Sequence, residues 1–370
     1  MPSNNILETT LIGTGGGYGE SIVLHLGNQN WIVVDSCVDP KTNNSLPLEY
    51  LKSIGVKVEK DVKLIICTHW HDDHILGISK LFEAAKNAVL SITKTSDRKK
   101  FLQLVELDYH KVESNSSISS TIELKNCISI ANNRRGTIKT ASEDRVLFSS
   151  NNSKIKIEVI SLSPSDFVVH EFNEEISTLM KDFGNPNKKI VFNTPNDKSV
   201  VILVKINDHR ILLGSDLEVT DDPRKGWLCI LNKSQCIDAK STIFKIPHHG
   251  SSTGYHKRIW DELIAENAIA KLTPWNRGNK LPKKDMLEKY LNHTPRLYST
   301  SLNLNNKSKP RKRDRSLAKA INKFNSSLIE IKYHLGIVKC SANLNTQNVI
   351  WKVNLHDEAI QITANNIQKL

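Results

Sequence analysis

The chain has 370 residues, 39% hydrophobic and 24% charged, with a formal net charge of +12. That is an ordinary globular composition, with enough chain to bury a sizeable core as one large domain or a domain with an appendix. No apolar run approaches about 18 residues and "MPSNNILETTLIG" lacks the basic and apolar regions of a signal peptide, so a cytoplasmic protein without a membrane span is expected.

The six cysteines, at 37, 67, 127, 229, 236 and 340, are scattered and form no CxxC pair, which points to reduced thiols rather than a disulfide framework. The charge is uneven. Thirteen Lys and Arg face only four Asp and Glu between 291 and 370, so this C-terminal fifth carries nine of the twelve surplus charges. Its centre is "KSKPRKRDR", in which Lys309, Arg311, Lys312 and Arg313 are candidates for contact with nucleic-acid phosphates or an acidic partner. A solvated loop that merely aids solubility is an equal alternative.

Taken in chain order, "ESIVLHL" and "NWIVVDS" read as a β-hairpin around the turn "GNQN". The preceding "GTGGGYGES" lacks the G-K-[ST] ending of a phosphate-binding loop and is followed by a strand, so it reads as a tight, close-packed loop. "PLEYLKSIG" is helix-like and "VKLIIC" is a short buried strand. "THWHDDH" follows that strand directly, and "ILGISKLFEAAKNA" then has helical spacing. Residues 90–150 offer little pattern beyond polarity, and 170–199 read as an Asn-, Lys- and Pro-rich excursion. "IKIEVISLSPS" is a strand entering a loop, and "KSVVILVKINDHRILLGSDLE" is a hairpin turning at "NDH". "STIFKIPHHGSSTG" is a strand running into a polar loop. "KKDMLEKYLN" and "SLAKAINKF" are helices, and "GIVKCSANLNTQNVIWKVNL" closes the chain as a hairpin.

Strands that end in loops bearing His or Asp, far apart in sequence, are what a layered α/β fold would gather along one edge. "HWHDDH" holds three histidines and two aspartates in six positions. Neutral imidazole and carboxylate suit Zn²⁺, Mn²⁺ or Fe. His69 and His71, two apart in extended backbone, can point the same way, while Asp73 and His74 can face a second ion. Trp70 either stacks on a base or caps the core.

The H-x-H-x-D-H spacing of "THWHDDHILG" resembles the signature of the metallo-β-lactamase-fold hydrolases. The resemblance spans about residues 10–255 and implies an α/β, four-layer αβ/βα sandwich with two metals at the edge between its sheets. It implies one domain over 1–295, with 296–370 supplying a basic C-terminal extension, a helix and a closing hairpin packed on it. It also implies an early strand-end aspartate, matched by Asp35 of "WIVVDS", and a bridging aspartate, matched by Asp216 of "ILLGSDLE". A final strand-end histidine is matched by His248 and His249 of "FKIPHHGSS". The family's further metal-binding histidine is missing, because "SLSPSD" puts Ser163 near its place. That leaves His69, His71 and Asp216 for the first ion, and Asp73, His74, Asp216 and His249 for the second.

In this reading His249 is the ligand, His248 donates a proton to the leaving group, and Asp35 orients a ligand histidine. Asp73, His248 and Asp35 are thus the catalytic candidates. Ser251, Ser252 and Thr253 would hold a phosphate, or form a plain turn. The expected cofactors are two divalent ions, zinc first and manganese second, with a hydroxide between them as nucleophile. The glycine-rich opening and "IPHHGSS" look like the hydrolase domain of the bacterial competence DNA-uptake channel protein and its stand-alone relatives. The expected function is therefore a metal-dependent phosphodiesterase or nuclease acting on nucleic acid or a nucleotide, alone or with protein partners. A small-molecule hydrolase for a lactone, thioester or amide, and a binding component of a larger assembly, are the alternatives.

Overall fold

A computed structural model describes the chain except for residues 16–18, 96–99, 102, 106–119, 135–137, 153–154, 182–194, 277–279, 303–332, 347–349 and 369–370. The elements begin with β1 (Ile6–Gly13), β2 (Glu20–Leu26), β3 (Trp31–Val34), α1 (Leu46–Ser53), α2 (Val58–Asp61) and β4 (Val62–Ile66). Next come α3 (Asp72–Ile75), α4 (Ile78–Ala84), β5 (Val89–Thr93), α5 (Ser120–Asn133), β6 (Ile138–Ala141), β7 (Arg145–Asn151), β8 (Lys156–Ser161) and α6 (Asp166–Lys181). The second half holds β9 (Ile202–Ile206), β10 (His209–Leu213), α7 (Gly226–Lys233), β11 (Ser241–Lys245), β12 (Ile264–Leu272), α8 (Lys284–His293) and β13 (Leu297–Ser299). The chain closes with β14 (Gly336–Asn343), β15 (Lys352–Asp357), β16 (Ile360–Gln361) and α9 (Ala364–Ile367).

The strands form two eight-stranded sheets, ordered β15-β14-β1-β2-β3-β4-β5-β6 and β16-β13-β12-β11-β10-β9-β8-β7. Alternation along each strand divides the core into layers. Ile22 and Leu24 of β2 meet Ile211 and Leu213 of β10 between the sheets. Val23 points the other way, into the layer built from Leu51 of α1, Leu81 and Phe82 of α4 and Leu124 of α5. Leu212 points to Trp227 of α7, Leu287 of α8 and Ile367 of α9. Helices therefore cover the outer face of each sheet, which is the expected αβ/βα sandwich. Each buried Leu or Ile contributes about 1.5–3 kcal/mol, and that apolar burial is what supports a polar site at the sheet edge.

Several elements differ from the sequence reading. The stretch after the histidine motif is two helices, α3 and α4, because Gly77 turns left-handed (φ 81°) between them. The region 90–150 holds β5, α5, β6 and β7. The supposed excursion begins with the 16-residue helix α6, whose Val168, Val169, Phe172 and Ile176 face the core. The Asn-rich composition further along masked that spacing. After residue 296 the chain supplies strands to both sheets: β13 pairs with β12, and β14 runs along the whole of β1. The candidates Lys309, Arg311, Lys312 and Arg313 and the helix "SLAKAINKF" lie outside the described residues. Among the described residues no helix is long and apolar enough to cross a membrane.

One buried group gives the fold a pH dependence. His25 of β2 is 1% exposed and lies against Trp31, with ring centroids 4.6 Å apart. Burial, chiefly, lowers its pKa to about 4. An unfolded histidine takes up a proton near pH 6.5, whereas the folded one stays neutral until about 4. This contribution is complete above pH 6.5 and is lost as pH falls toward 4, up to about 3 kcal/mol. Urea unfolding of His25→Leu should show a flatter pH dependence than the parent between pH 6.5 and 4.5. Parallel curves would remove His25 as the cause.

Candidate metal centre

Every candidate ligand follows a strand closely: Asp35 after β3, His69 and His71 after β4 with Asp73 and His74 in the short helix α3 that comes next, Asp216 after β10, and His248 and His249 after β11. β3 and β4 are parallel neighbours, as are β10 and β11, so all four carboxyl ends emerge on one edge. The backbone is bent to aim the side chains. Asp35, Ser215, His248 and His249 are left-handed, with φ of 59°, 48°, 48° and 52°. Such non-glycine conformations persist only where the surroundings over-determine them. Gly19, at the end of the glycine-rich loop, shows why that loop needs its glycine: a Cβ there would run into the Asp73 carbonyl.

Asp73, His74, Asp216 and His249 form one buried cluster, with a ligand atom from each within 4.8 Å of all the others. His74 Nε2 lies 3.3 Å from Asp73 Oδ2 and 3.4 Å from Asp216 Oδ2. His249 Nε2 lies 3.1 Å and 3.6 Å from the same two oxygens. These separations match neighbouring ligands around a tetrahedral ion with bonds of about 2.1 Å. His74 Nε2 is buried without a hydrogen bond, which suits a metal-ligating nitrogen. The residues therefore fit a divalent metal.

The opposite ring nitrogens are held in place. His74 Nδ1 lies 2.8 Å from Asp35 Oδ2, and Asp35 also accepts from the Thr68 amide and hydroxyl, both at 2.8 Å. His249 Nδ1 donates to the Thr273 carbonyl at 3.0 Å. Such partners fix ring orientation and raise ligand basicity. Burial would lower the His74 pKa, but the Asp216, Asp73 and Asp35 carboxylates outweigh it and hold it well above the usual value. Burial raises Asp73 and Asp216, and the neighbouring imidazoles, His74 first, overcome it and hold both well below the carboxylate range. A divalent ion would need the cluster-facing nitrogen of His74 in its neutral form.

The second pair is less complete. His69 Nε2 and His71 Nδ1 converge at 3.1 Å, and Asp216 Oδ2 lies 3.9 Å from His69. Burial, with the charge of His74, pushes the His69 pKa well below its usual value. Ser163 adds no ligand. Its hydroxyl donates to the Ser199 carbonyl at 2.6 Å and accepts from the Val201 amide at 2.8 Å.

Other candidates fall elsewhere. His248 turns away from the cluster, with Nδ1 2.8 Å from Glu218 Oε1. The Ser251 and Thr253 hydroxyls bond to each other at 3.0 Å, and Thr253 donates to Glu218 at 3.0 Å, so both serve the loop itself. Ser252 is exposed on the rim. Trp70 is 8% exposed and packs on Phe101 and Phe172, which makes it core. His209 starts β10 rather than lying in its turn, and His170 lies on the exposed face of α6 with Nε2 3.4 Å from Glu174 Oε1. Three residues went unmarked in the sequence reading: Glu218, Trp275 and Lys245. Only Glu218 carried a local signal, lying two positions after Asp216 in "GSDLE".

The cluster opens into a cleft of about 630 Å³, with His71, Asp73, Asp216, His248 and Trp275 on its walls. That volume lies in the range of small-ligand sites.

Residues 14–108 match the model of the Metallo-beta-lactamase superfamily. Among solved structures, the chain is similar to a motif mutant of a metallo-β-lactamase from Cronobacter sakazakii, at 11% identity over 61% of this chain and 70% of that one, with a TM-score of 0.30. It is also similar to AidC, a dizinc quorum-quenching lactonase in complex with a product, at 12% identity over 53% and 55% of the two chains, TM-score 0.28. A metallo-β-lactamase from Pontibacter korlensis gives 12% identity over 60% and 72%, TM-score 0.27. No curated protein matches. The family match covers residues 14–108 alone, and the two-sheet sandwich with a His/Asp cluster at its edge agrees with it.

Proposed function

We propose that this protein is a metal-dependent hydrolase that cleaves phosphodiester bonds in nucleic acid or nucleotides. The observation that carries the reading is His248 on the wall of the same cleft as Asp73 and Asp216, with its Nδ1 held 2.8 Å from Glu218. Divalent ions held by Asp73, His74, Asp216 and His249, and by His69 and His71, would supply Lewis acidity and a water of lowered pKa. The chain's own groups supply the rest. Glu218 holds His248 Nδ1 at 2.8 Å and the Asn196 side-chain amide faces its Nε2 at 3.5 Å, so the ring is fixed at both nitrogens; in its protonated form this imidazole would hand a proton to the departing alkoxide. The hydrogen bond from His248, chiefly, holds the Glu218 pKa below its usual value, so it stays ionised while it orients the ring. Asp35 keeps His74 facing the cluster. The "IPHHGSS" resemblance and the +12 charge point the same way.

The test is a panel with zinc or manganese: single- and double-stranded DNA, RNA, bis(p-nitrophenyl) phosphate, a homoserine lactone and a thioester. Cleavage of phosphodiesters is expected. Turnover of lactone or thioester with every phosphodiester left intact would replace this reading with the small-molecule one.

For the basic segment we expect that neutralising Lys309, Arg311, Lys312 and Arg313 together weakens nucleic-acid binding and lowers the slope of log K against log salt by up to about 3–4. An unchanged slope would assign the segment to a different partner.

A further inference from the structure

We propose that Trp275, Leu281 and Lys283 form a subsite for one nucleotide unit, with the base against Trp275 and a phosphate held by Lys283. This rests on the phosphodiesterase reading and names the part of the substrate that the cleft would grip.

Trp275 follows β12 at the same sheet edge as the cluster, and its ring lies 5.5 Å from that of His249. A group stacked on it would therefore sit beside the metal ligands. The indole is half-buried rather than absorbed into the core. Its backbone is pinned by two reciprocal bonds, the Trp275 amide to the Leu281 carbonyl at 2.9 Å and the Leu281 amide to the Trp275 carbonyl at 2.8 Å. A fixed aromatic plane at a cleft wall is a stacking platform that tolerates any base, because every base has a π-face.

Lys283 lies two residues beyond Leu281. It is exposed, and it is the one Lys or Arg among the described residues that line the cleft. No carboxylate is paired with it among the described residues. Of the three acidic groups that line the cleft, Asp73 and Asp216 belong to the ligand cluster and would be neutralised there, and Asp72 accepts from the Ser120 amide at 3.1 Å. Lys283 is thus left to meet an anion brought in by the ligand. A neutral lactone or thioester would not use it. The cleft volume of about 630 Å³ suits one base with its sugar and phosphate rather than a duplex. The simpler alternative, that Trp275 only buttresses His249, gives no reason for a base to matter.

The experiment is calorimetric titration of the zinc-loaded full-length protein with AMP, ribose 5-phosphate and adenosine. AMP should bind at least about fivefold more tightly than ribose 5-phosphate, the smallest gain expected from stacking on one aromatic ring. Trp275→Ala should erase the difference and Trp275→Phe should keep most of it. Lys283→Met should weaken AMP and ribose 5-phosphate alike, by roughly fivefold, and leave adenosine unchanged. Equal affinities for AMP and ribose 5-phosphate in the parent, or an equal loss of both in Trp275→Ala, would overturn the subsite. Hydrolysis of methyl p-nitrophenyl phosphate, which has no base, separates the two ideas. If the parent cleaves it but shows no preference for AMP, the subsite fails and the phosphodiesterase reading stands. If the preference is present and Trp275-dependent but no diester is cleaved, the reading fails and the subsite stands.

Discussion

Asp216→Asn is expected to lower hydrolysis by at least about a thousandfold and to leave the fold in place. One carboxylate oxygen, Asp216 Oδ2, lies 3.4 Å from His74, 3.6 Å from His249 and 3.9 Å from His69. It is the group shared by the buried cluster and the His69/His71 pair. An amide keeps the shape but loses the charge that offsets the ions, so metal content should fall as well as rate. Asp73→Ala should behave alike, because Asp73 Oδ2 reaches both His74 and His249. The measurements are metal stoichiometry by emission spectroscopy, circular dichroism and single-turnover cleavage. Full metal content with full activity in both variants would show that the cluster is not the working site.

The second large effect concerns stability. Lys245 of β11 and Glu20 of β2 form an ion pair between the sheets, with side chains 0% and 3% exposed. Lys245 lies two residues beyond Ile243, so strand alternation turns it into the same interior layer. Its ammonium also reaches the Ser215 carbonyl at 3.3 Å and stands 4.0 Å from Asp216 Oδ1. Burial would lower its pKa, but the Glu20 and Asp216 carboxylates reverse that and raise it. Lys245→Met strands a buried carboxylate and Glu20→Gln strands a buried ammonium, so each should cost about 3–5 kcal/mol. The double variant removes both charges and should recover most of that loss, giving a strongly non-additive cycle in urea unfolding. Additive losses would mean that the two groups act separately. The pair thus joins the two sheets beside the Asp216 carboxylate, 4.0 Å from its Oδ1.

Much of the site was legible because part of it is local. In "THWHDDH" the spacing alone brings His69 beside His71, and Asp73 beside His74, once a strand feeds a loop and then a helical turn. Asp35, Asp216 and the His248–His249 pair were also marked, by the family resemblance, each at the end of an apolar strand. Strand and helix spacing gave a layered α/β fold, and the family resemblance gave the αβ/βα sandwich. The helix α6 was not seen, since its apolar positions are few and lie next to a polar run.

Other features depended on long-range packing. His249 meets Asp73 across 176 positions, and no spacing rule reaches that far. The choice between His248 and His249 is made by two consecutive left-handed residues, which send one ring into the cluster and the other to Glu218. The role of Ser163 is set by the Ser199 and Val201 backbone beside it, which takes up both functions of its hydroxyl. Glu20 and Lys245 read as ordinary polar residues until the sheets close and deny them water. The chain's local pattern determines which groups stand at strand ends. Only the packed sheets decide which of them lose their solvent, and so which must find an ion, a partner or a substrate.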